Sequence, residues 1–236
     1  MKPYILGAIF ARGGSKGVPR KNIKLLAGKP LIAYAIEVGL SIPQIDKLIV
    51  STDDEEIAAI SRKYGAEVPF IRPTELARDD SPEILSWQHA IRTVEEQFGY
   101  HVDVLVSIPA TSPLRLTEDI SQCIRTLVDS DADIVVTVKE AERNPYFNML
   151  ELDESGYAHL LMRERKNFSH RQKAPVVYDM TTVAYAARAS YILNTSSILK
   201  GKVKAMVVPE ERALDIDTEL DFEIAEFLMN KRSKRE

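Results

Sequence analysis

The chain has 236 residues, 45% of them hydrophobic and 28% charged, with a formal net charge of −4. That suits one α/β domain or two small ones with a proper core. It holds no run of about 18 apolar residues that would span a membrane, and the apolar stretch ending at Arg12 is too short for a signal peptide and lacks a cleavage site. The single cysteine, Cys123, excludes an intrachain disulfide and points to a reducing, cytoplasmic setting. As a lone apolar-flanked thiol it reads as part of the core. The charge is unevenly placed. Met1 to Ile36 hold seven Lys/Arg and no Asp/Glu, leaving 24 basic against 35 acidic residues in the rest. A basic segment inside an acidic chain points to a small anionic ligand, whereas nucleic-acid binders carry a basic domain or face. The basic tail KRSKRE follows the last helical pattern and reads as a frayed end.

In chain order, residues 4–10 (YILGAIF) form a continuous apolar run that predicts a buried strand. A glycine-rich loop follows at once. Residues 30–40 have helical spacing, 47–50 read as a strand, 54–64 as a helix and 67–71 as a third short strand. A helix over 82–98, a strongly apolar strand over 102–108, a helix over 117–128 and a strand over 133–138 continue the alternation. Strand and helix in turn predict an α/β fold, a mainly parallel sheet flanked by helices. After Lys139 the pattern breaks. Residues 143–161 read as two strands joined by a turn at 153–156, and 162–175 as a polar, basic loop or arm. Strands return at 183–187 and 205–208, with a short helix over 189–193 between them. The last helix, over 218–230, is expected to turn Leu220, Ile224, Phe227 and Leu228 inward. The plan is one domain, 1–236, with an inserted arm at about 142–178.

The loop AIFARGGSKGVPRKN (8–22) carries three glycines and four cations, Arg12, Lys16, Arg20 and Lys21, and no acid. Glycines after a first strand let backbone N–H groups approach phosphate oxygens closely. Neither G-x-x-x-x-G-K-[ST] nor G-x-G-x-x-G is present, which excludes a P-loop and leaves a dinucleotide site unsupported. One charge pair roughly 4 Å apart is worth about 1 kcal/mol in water and about 4 kcal/mol at an effective dielectric near 20. Several loop cations in a cleft therefore suit a nucleoside triphosphate. A solvated surface turn would normally mix charge signs.

ARGGSKGVPRKN, IVSTDDEEIA (49–58), RPTELARDD (72–80), TSPLR (111–115) and DIDTELDF (215–222) resemble, in order and approximate spacing, the motifs of the CMP-sialic acid synthetases, the acylneuraminate cytidylyltransferases. The resemblance implies a nucleotide-diphospho-sugar transferase (GT-A-like) fold. It implies a cytidylyltransferase that activates a nonulosonic 2-keto sugar acid with CTP, releasing pyrophosphate. It further implies a homodimer whose arm, near 142–178, reaches the other subunit's site. Carried over by position, Arg12, Lys16 and Lys21 would serve the triphosphate and catalysis. Ala11, Gly13, Ser15, Asn22, Arg72, Thr111, Arg171 and Gln172 would bind substrate. Asp215 and Asp217 would hold Mg²⁺ (or Mn²⁺) and act in catalysis.

Physical reading supports that last pair. In an extended D-I-D both carboxylates share a side and Ile216 points to the core, and oxygen ligands suit Mg²⁺. Helix capping by T-E-L-D accounts for Thr218 and Asp221 but not for the earlier pair. Acids 53–56 read as a helix's first turn, favoured by its dipole. Arg115 reads as either ligand-facing or structural, His89 as structural, and His170 lies in the basic arm. Two positions depart from the family pattern: Pro109 replaces a glutamine, and Thr181–Thr182 replace Asn-Gly. Both belong to the sugar side, so legionaminic, pseudaminic or another acid fits as well as sialic acid. The alternatives are a nucleotidyltransferase for Kdo or a sugar phosphate, and a non-catalytic nucleotide-sugar binding subunit.

Overall fold

The computed structural model describes residues 2–162 and 174–233. Its elements are β1 (Ile5–Phe10), the short pair β2 (Leu25–Leu26) and β3 (Lys29–Pro30), α1 (Leu31–Leu40), β4 (Lys47–Ser51), α2 (Glu55–Lys63), α3 (Glu83–Phe98), β5 (Val104–Ser107), α4 (Thr117–Val128), β6 (Ile134–Glu140), β7 (Leu150–Leu152), β8 (Ala158–Leu160), β9 (Tyr178–Arg188), α5 (Ala189–Asn194), β10 (Val203–Val207) and α6 (Glu219–Ser233). Six strands form one sheet in the order β10-β6-β9-β5-β1-β4. β1 pairs in parallel with both β4 and β5, and β10 with β6. β9 alone runs antiparallel, between β5 and β6.

Side chains alternate across the sheet, and this sorts the core into two layers. Ile5 and Ile9 of β1, with Val104 and Val106 of β5, meet α1, α2 and α4. Leu6 and Ala8, with Leu105 and Tyr185, meet α3 and α5 around the fully buried Trp87. Cys123 on α4 belongs to the first layer; it is 0% exposed, and burial pushes its thiol up to about 12. A third cluster lies outside the sandwich. Val18 of the glycine-rich loop, Leu26, Leu31 and Ile216 pack there against Phe222 and Ala225 of α6. The C-terminal helix thus fastens the loop that follows β1 to the segment that carries the aspartate pair.

Three expectations change. Residues 67–71 make only two isolated parallel bridges, Ile49 with Glu67 and Thr52 with Ile71, because Pro69 between them has no N–H for a ladder. β9 is much longer than 183–187, and its pairing with β6 shifts register between Val136 and Val138. The hydroxyl of Thr137, buried at that bulge, accepts the Ala184 N–H (3.1 Å) and meets the Thr181 hydroxyl (2.8 Å). On α6 the inward face is Phe222, Ala225 and Met229, whereas Leu220 and Phe227 are 64% and 66% exposed. The helix carries apolar residues on both sides, and the phase is set by its capped start. There Asp221 Oδ2 accepts the Thr218 N–H (2.7 Å) and hydroxyl (2.8 Å).

β7 and β8 form their own antiparallel hairpin. Asp153 Oδ1 closes the turn by accepting the N–H groups of Ser155 and Tyr157, both at 3.0 Å. Its apolar side chains face outward, with Leu152 and Tyr157 each 71% exposed.

Candidate active site

The loops after β1 and after β5 leave neighbouring parallel strands at their carboxyl ends, where open α/β sheets bind ligands. Four contacts fix the first loop. Ala11 N–H donates to Ser51 O (3.0 Å), Gly13 N–H to Asp53 Oδ1 (3.0 Å) and the buried Asn22 amide to Arg12 O (3.0 Å), while Val18 is anchored in the core. Gly17 makes the closest approach. A Cβ there would lie 1.9 Å from the Asp217 carbonyl oxygen, so only glycine lets the two segments meet.

Between the loops lies a cleft of about 330 Å³ lined by Phe10, Arg12, Ser15, Lys16, Gly17, Lys21, Asn22, Thr111 and Asp217. Its cations are held by carboxylates. Arg12 and Lys16 (2.7 Å) share Asp79, and Lys16 first, then Arg12, keep that carboxyl below its usual range. Arg20 is turned away, paired with Asp54 and with Glu56 (2.6 Å). Lys21, 13% exposed, donates to the Ile216 carbonyl and lies 3.3 Å from Asp217 Oδ1. It joins the basic loop to the opposite wall.

That wall is built by burial. Ile216 is 0% exposed and its N–H donates to Thr111 O (2.9 Å), which places Asp215 and Asp217 on either side of a fixed point. Asp217 is exposed at the cleft's mouth. Asp215 sits deeper. Burial pushes its carboxyl up and Asp217 adds to this, while the Thr111 and Thr182 hydroxyls and Lys21 counter them. Its Oδ1 is buried with no partner. Such an orphan acceptor fits a bound cation. Among the described residues no three His, Cys, Asp or Glu side chains converge on one point. An Mg²⁺ or Mn²⁺ ion held here would therefore take its remaining oxygens from phosphate and water.

A second recess, of about 220 Å³, shares Phe10 and Arg12 with the cleft and is lined further by Arg72, Asp79 and Glu83. Arg72 is 5% exposed, with its Nη2 3.9 Å from Asp53. Burial lowers its affinity for the proton, and Asp53 offsets part of that.

The structure therefore gathers Arg12, Ser15, Lys16, Lys21, Asn22, Thr111 and Asp217 around one space, with Asp215 behind it and Arg72 beside it. Ala11 lines neither space: its methyl is buried in the core and its N–H donates to Ser51 O. Gly13 lines neither space as well, its N–H being held by Asp53. Arg171, Gln172 and His170 lie outside the described residues. Arg115 is structural: it is 3% exposed, and its Nη2 donates to the carbonyls of Pro109 and Thr182 (3.1 Å). Asp54 caps α2, accepting the Ile57 N–H at 2.9 Å. Asp53 and Asp79, by contrast, hold the loop and its cations, roles that no local pattern announces. His89 packs edge-on against Phe70, ring centroids 4.8 Å apart.

A cationic loop opposite paired carboxylates at the carboxyl ends of parallel strands is the arrangement of an α/β nucleotidyltransferase. The pattern of the cytidylyltransferase family matches residues 6–227, and the chain belongs to that family. It is 37% identical over 229 residues to the CMP-N,N'-diacetyllegionaminic acid synthase of Campylobacter jejuni, covering 97% of this chain and 96% of the relative. It is 32% identical over 226 residues to a pseudaminic acid cytidylyltransferase of the same species, covering 93% and 94%. Among solved structures, a CMP:2-keto-3-deoxy-manno-octonic acid synthetase complexed with CTP superposes with a TM-score of 0.71 over 97% of this chain and 99% of the other. At 17% identity that likeness is one of fold.

Proposed function

We propose that the protein transfers the cytidylyl group of CTP to a nonulosonic 2-keto sugar acid, giving the CMP-sugar and pyrophosphate. The observation that carries this reading is the cleft in which Arg12, Lys16 and Lys21 face Asp217, with the unpartnered Asp215 oxygen behind it. The triphosphate lies among the loop cations and displaces Asp79 from Arg12 and Lys16. The nucleoside extends past Phe10 toward Arg72, into the second recess, which has Phe10 and Arg12 in common with the cleft. Asp215 and Asp217 hold Mg²⁺ or Mn²⁺, which supplies positive charge to the phosphates when bound. The anomeric hydroxyl oxygen of the acid bonds to the α-phosphorus and gives up its proton to water, as the bond to the bridging oxygen breaks and pyrophosphate leaves. Positioning and charge neutralisation suffice for this, as in other phosphoryl transfers.

The chain acts as one cytoplasmic catalytic domain with an arm near 142–178, of which 163–173 lie outside the described residues, that joins two copies in a homodimer. The exposed Leu150, Leu152 and Tyr157 of the hairpin support that reading. Light scattering should give twice the chain mass, falling to one chain mass in Leu152→Glu.

The test of the reaction is pyrophosphate release from CTP and Mg²⁺ with N,N'-diacetyllegionaminic, pseudaminic, N-acetylneuraminic and Kdo acids. Release with one of the three nonulosonic acids is expected. Release with Kdo alone would move the assignment to the eight-carbon acid. Folded protein that binds CTP and releases nothing with any of them would make it a binding subunit.

A further inference from the structure

Two of the cations that the cleft offers a triphosphate are bridged by one carboxylate. Arg12 Nη1 donates to Asp79 Oδ1, and Lys16 Nζ lies 2.7 Å from Asp79 Oδ2. Each oxygen thus holds one cation, as two oxygens of a phosphoryl group would. Asp79 sits on a strap, residues 77–82, that leads into α3. Both ends of the strap are tied. Ala77 N–H donates to Thr74 O (3.0 Å), the Ser81 hydroxyl to Glu75 O, and the Ser86 hydroxyl of α3 to Leu76 O (3.1 Å). Between these ties Asp79 is exposed, and among the described residues neither its N–H nor its carbonyl is hydrogen-bonded. The carboxylate is therefore tethered within reach of the two cations, and its side-chain position is set by them. Asp80 beside it is also exposed, and among the described residues it pairs with no cation.

We propose that Asp79 is a release latch for pyrophosphate: it takes back Lys16 and Arg12 one at a time and so speeds the departure of the product. This rests on the placement of the triphosphate proposed above. A tethered group competes at an effective concentration set by its tether, without having to diffuse in. Asp79 meets both anions of the reaction, CTP before the transfer and pyrophosphate after it. CTP offsets the competition through its nucleoside, which reaches the second recess; pyrophosphate has no such hold. The two separate oxygens let the exchange run in steps. One takes Lys16, 80% exposed, while pyrophosphate still holds Arg12, 36% exposed, so the two cations are never bare together. Asp79 acts through Arg12 and Lys16 and is a positioning residue.

The test is the dissociation rate of pyrophosphate, read from ³¹P NMR line shapes in a titration without acceptor and in EDTA, for the wild type, Asp79→Asn, Asp79→Glu and Asp80→Asn. If Asp79→Asn does not fold, Asp79→Ser replaces it. Asp79→Asn is expected to release pyrophosphate about threefold more slowly, the scale of exposed ion pairs. Asp79→Glu, which keeps the carboxylate, should release it close to the wild-type rate. Asp80→Asn removes a neighbouring charge that holds no cation, and should also match the wild type. A merely structural role, or simple repulsion by the acidic strap, would not divide the variants in this way. Wild-type release in Asp79→Asn, or equal slowing in Asp79→Asn and Asp80→Asn, would overturn the latch while leaving the triphosphate in its cleft. A folded wild type that binds neither pyrophosphate nor CTP would overturn the placement of the triphosphate and the latch with it.

Discussion

The two walls of the cleft are made differently. The glycine-rich wall presents Arg12 and Lys16, the latter 80% exposed, and holds these two by ion pairs to Asp79 that a stronger anion can replace. The aspartate wall rests on buried groups, Ile216 in the core and Arg115 on two carbonyls, and carries Asp217 exposed at the cleft's mouth. The first can rearrange around a triphosphate. The second is fixed before any ligand arrives, which is what preorganised charge stabilisation requires. The difference separates affinity from turnover, and each of the following variants strains one wall.

Asp215→Asn should have the largest effect, a loss of ~10³-fold in kcat in a pyrophosphate assay, the scale seen when a preorganised electrostatic group is removed. It should also raise the Tm of the metal-free protein, because a buried carboxylate with one unpartnered oxygen is replaced by a neutral amide. Gly17→Ala should come next. The new methyl has no room beside the Asp217 carbonyl and forces the walls apart, and a displacement of that size lowers kcat ~10²-fold with an unchanged circular dichroism spectrum.

Asp54→Ala acts on the ground beneath the first wall. Loss of the α2 cap should lower stability by about 1 kcal/mol in urea unfolding. The hydrogen bond from Arg20 leads in holding the Asp54 carboxyl below its usual range, aided by the Ile57 N–H and opposed by burial. The stability this contributes is present above the ordinary carboxylate range and is lost as pH falls through the lower folded value. The variant should therefore show a flatter acid limb in a plot of stability against pH. Asp79→Asn should have the smallest effect. With Arg12 and Lys16 released, KM for CTP should fall two- to threefold or so and depend more steeply on salt, since the cations then meet the triphosphate unopposed.

The sequence was legible where physics is local. The apolar 4–10 run, the glycines that follow it, the turn at 153–156 and the Thr218–Asp221 cap each depend on neighbours a few residues apart. Pairings across the fold were not legible. Nothing near Asp79 marks it as the partner of Arg12, 67 residues away, and nothing near Asp53 marks it as the acceptor for Gly13. Arg115 could be read either way because TSPLR fixes the residue and not its burial. The phase of α6 was ambiguous for another reason. Leu220, Ile224 and Phe227 form as good a helical stripe as Phe222, Ala225 and Met229, and only the cap and the waiting cluster of Val18, Leu31 and Ile216 choose between them. At 67–71 the apolar pattern was right and the ladder was absent, because one proline lacks the donor.

The most direct test of the division between the walls is calorimetric titration of CTP, in EDTA, into the wild type, Lys16→Ala and Asp215→Asn, with single-turnover rates for the same three proteins in Mg²⁺. The account predicts that Lys16→Ala weakens metal-free CTP binding about tenfold, near the worth of one charge pair in a partly solvated cleft. It predicts that Asp215→Asn binds CTP within about twofold of wild type and yet turns over the least. Equal losses of CTP affinity in the two variants, or a turnover in Asp215→Asn that follows its CTP affinity alone, would contradict it.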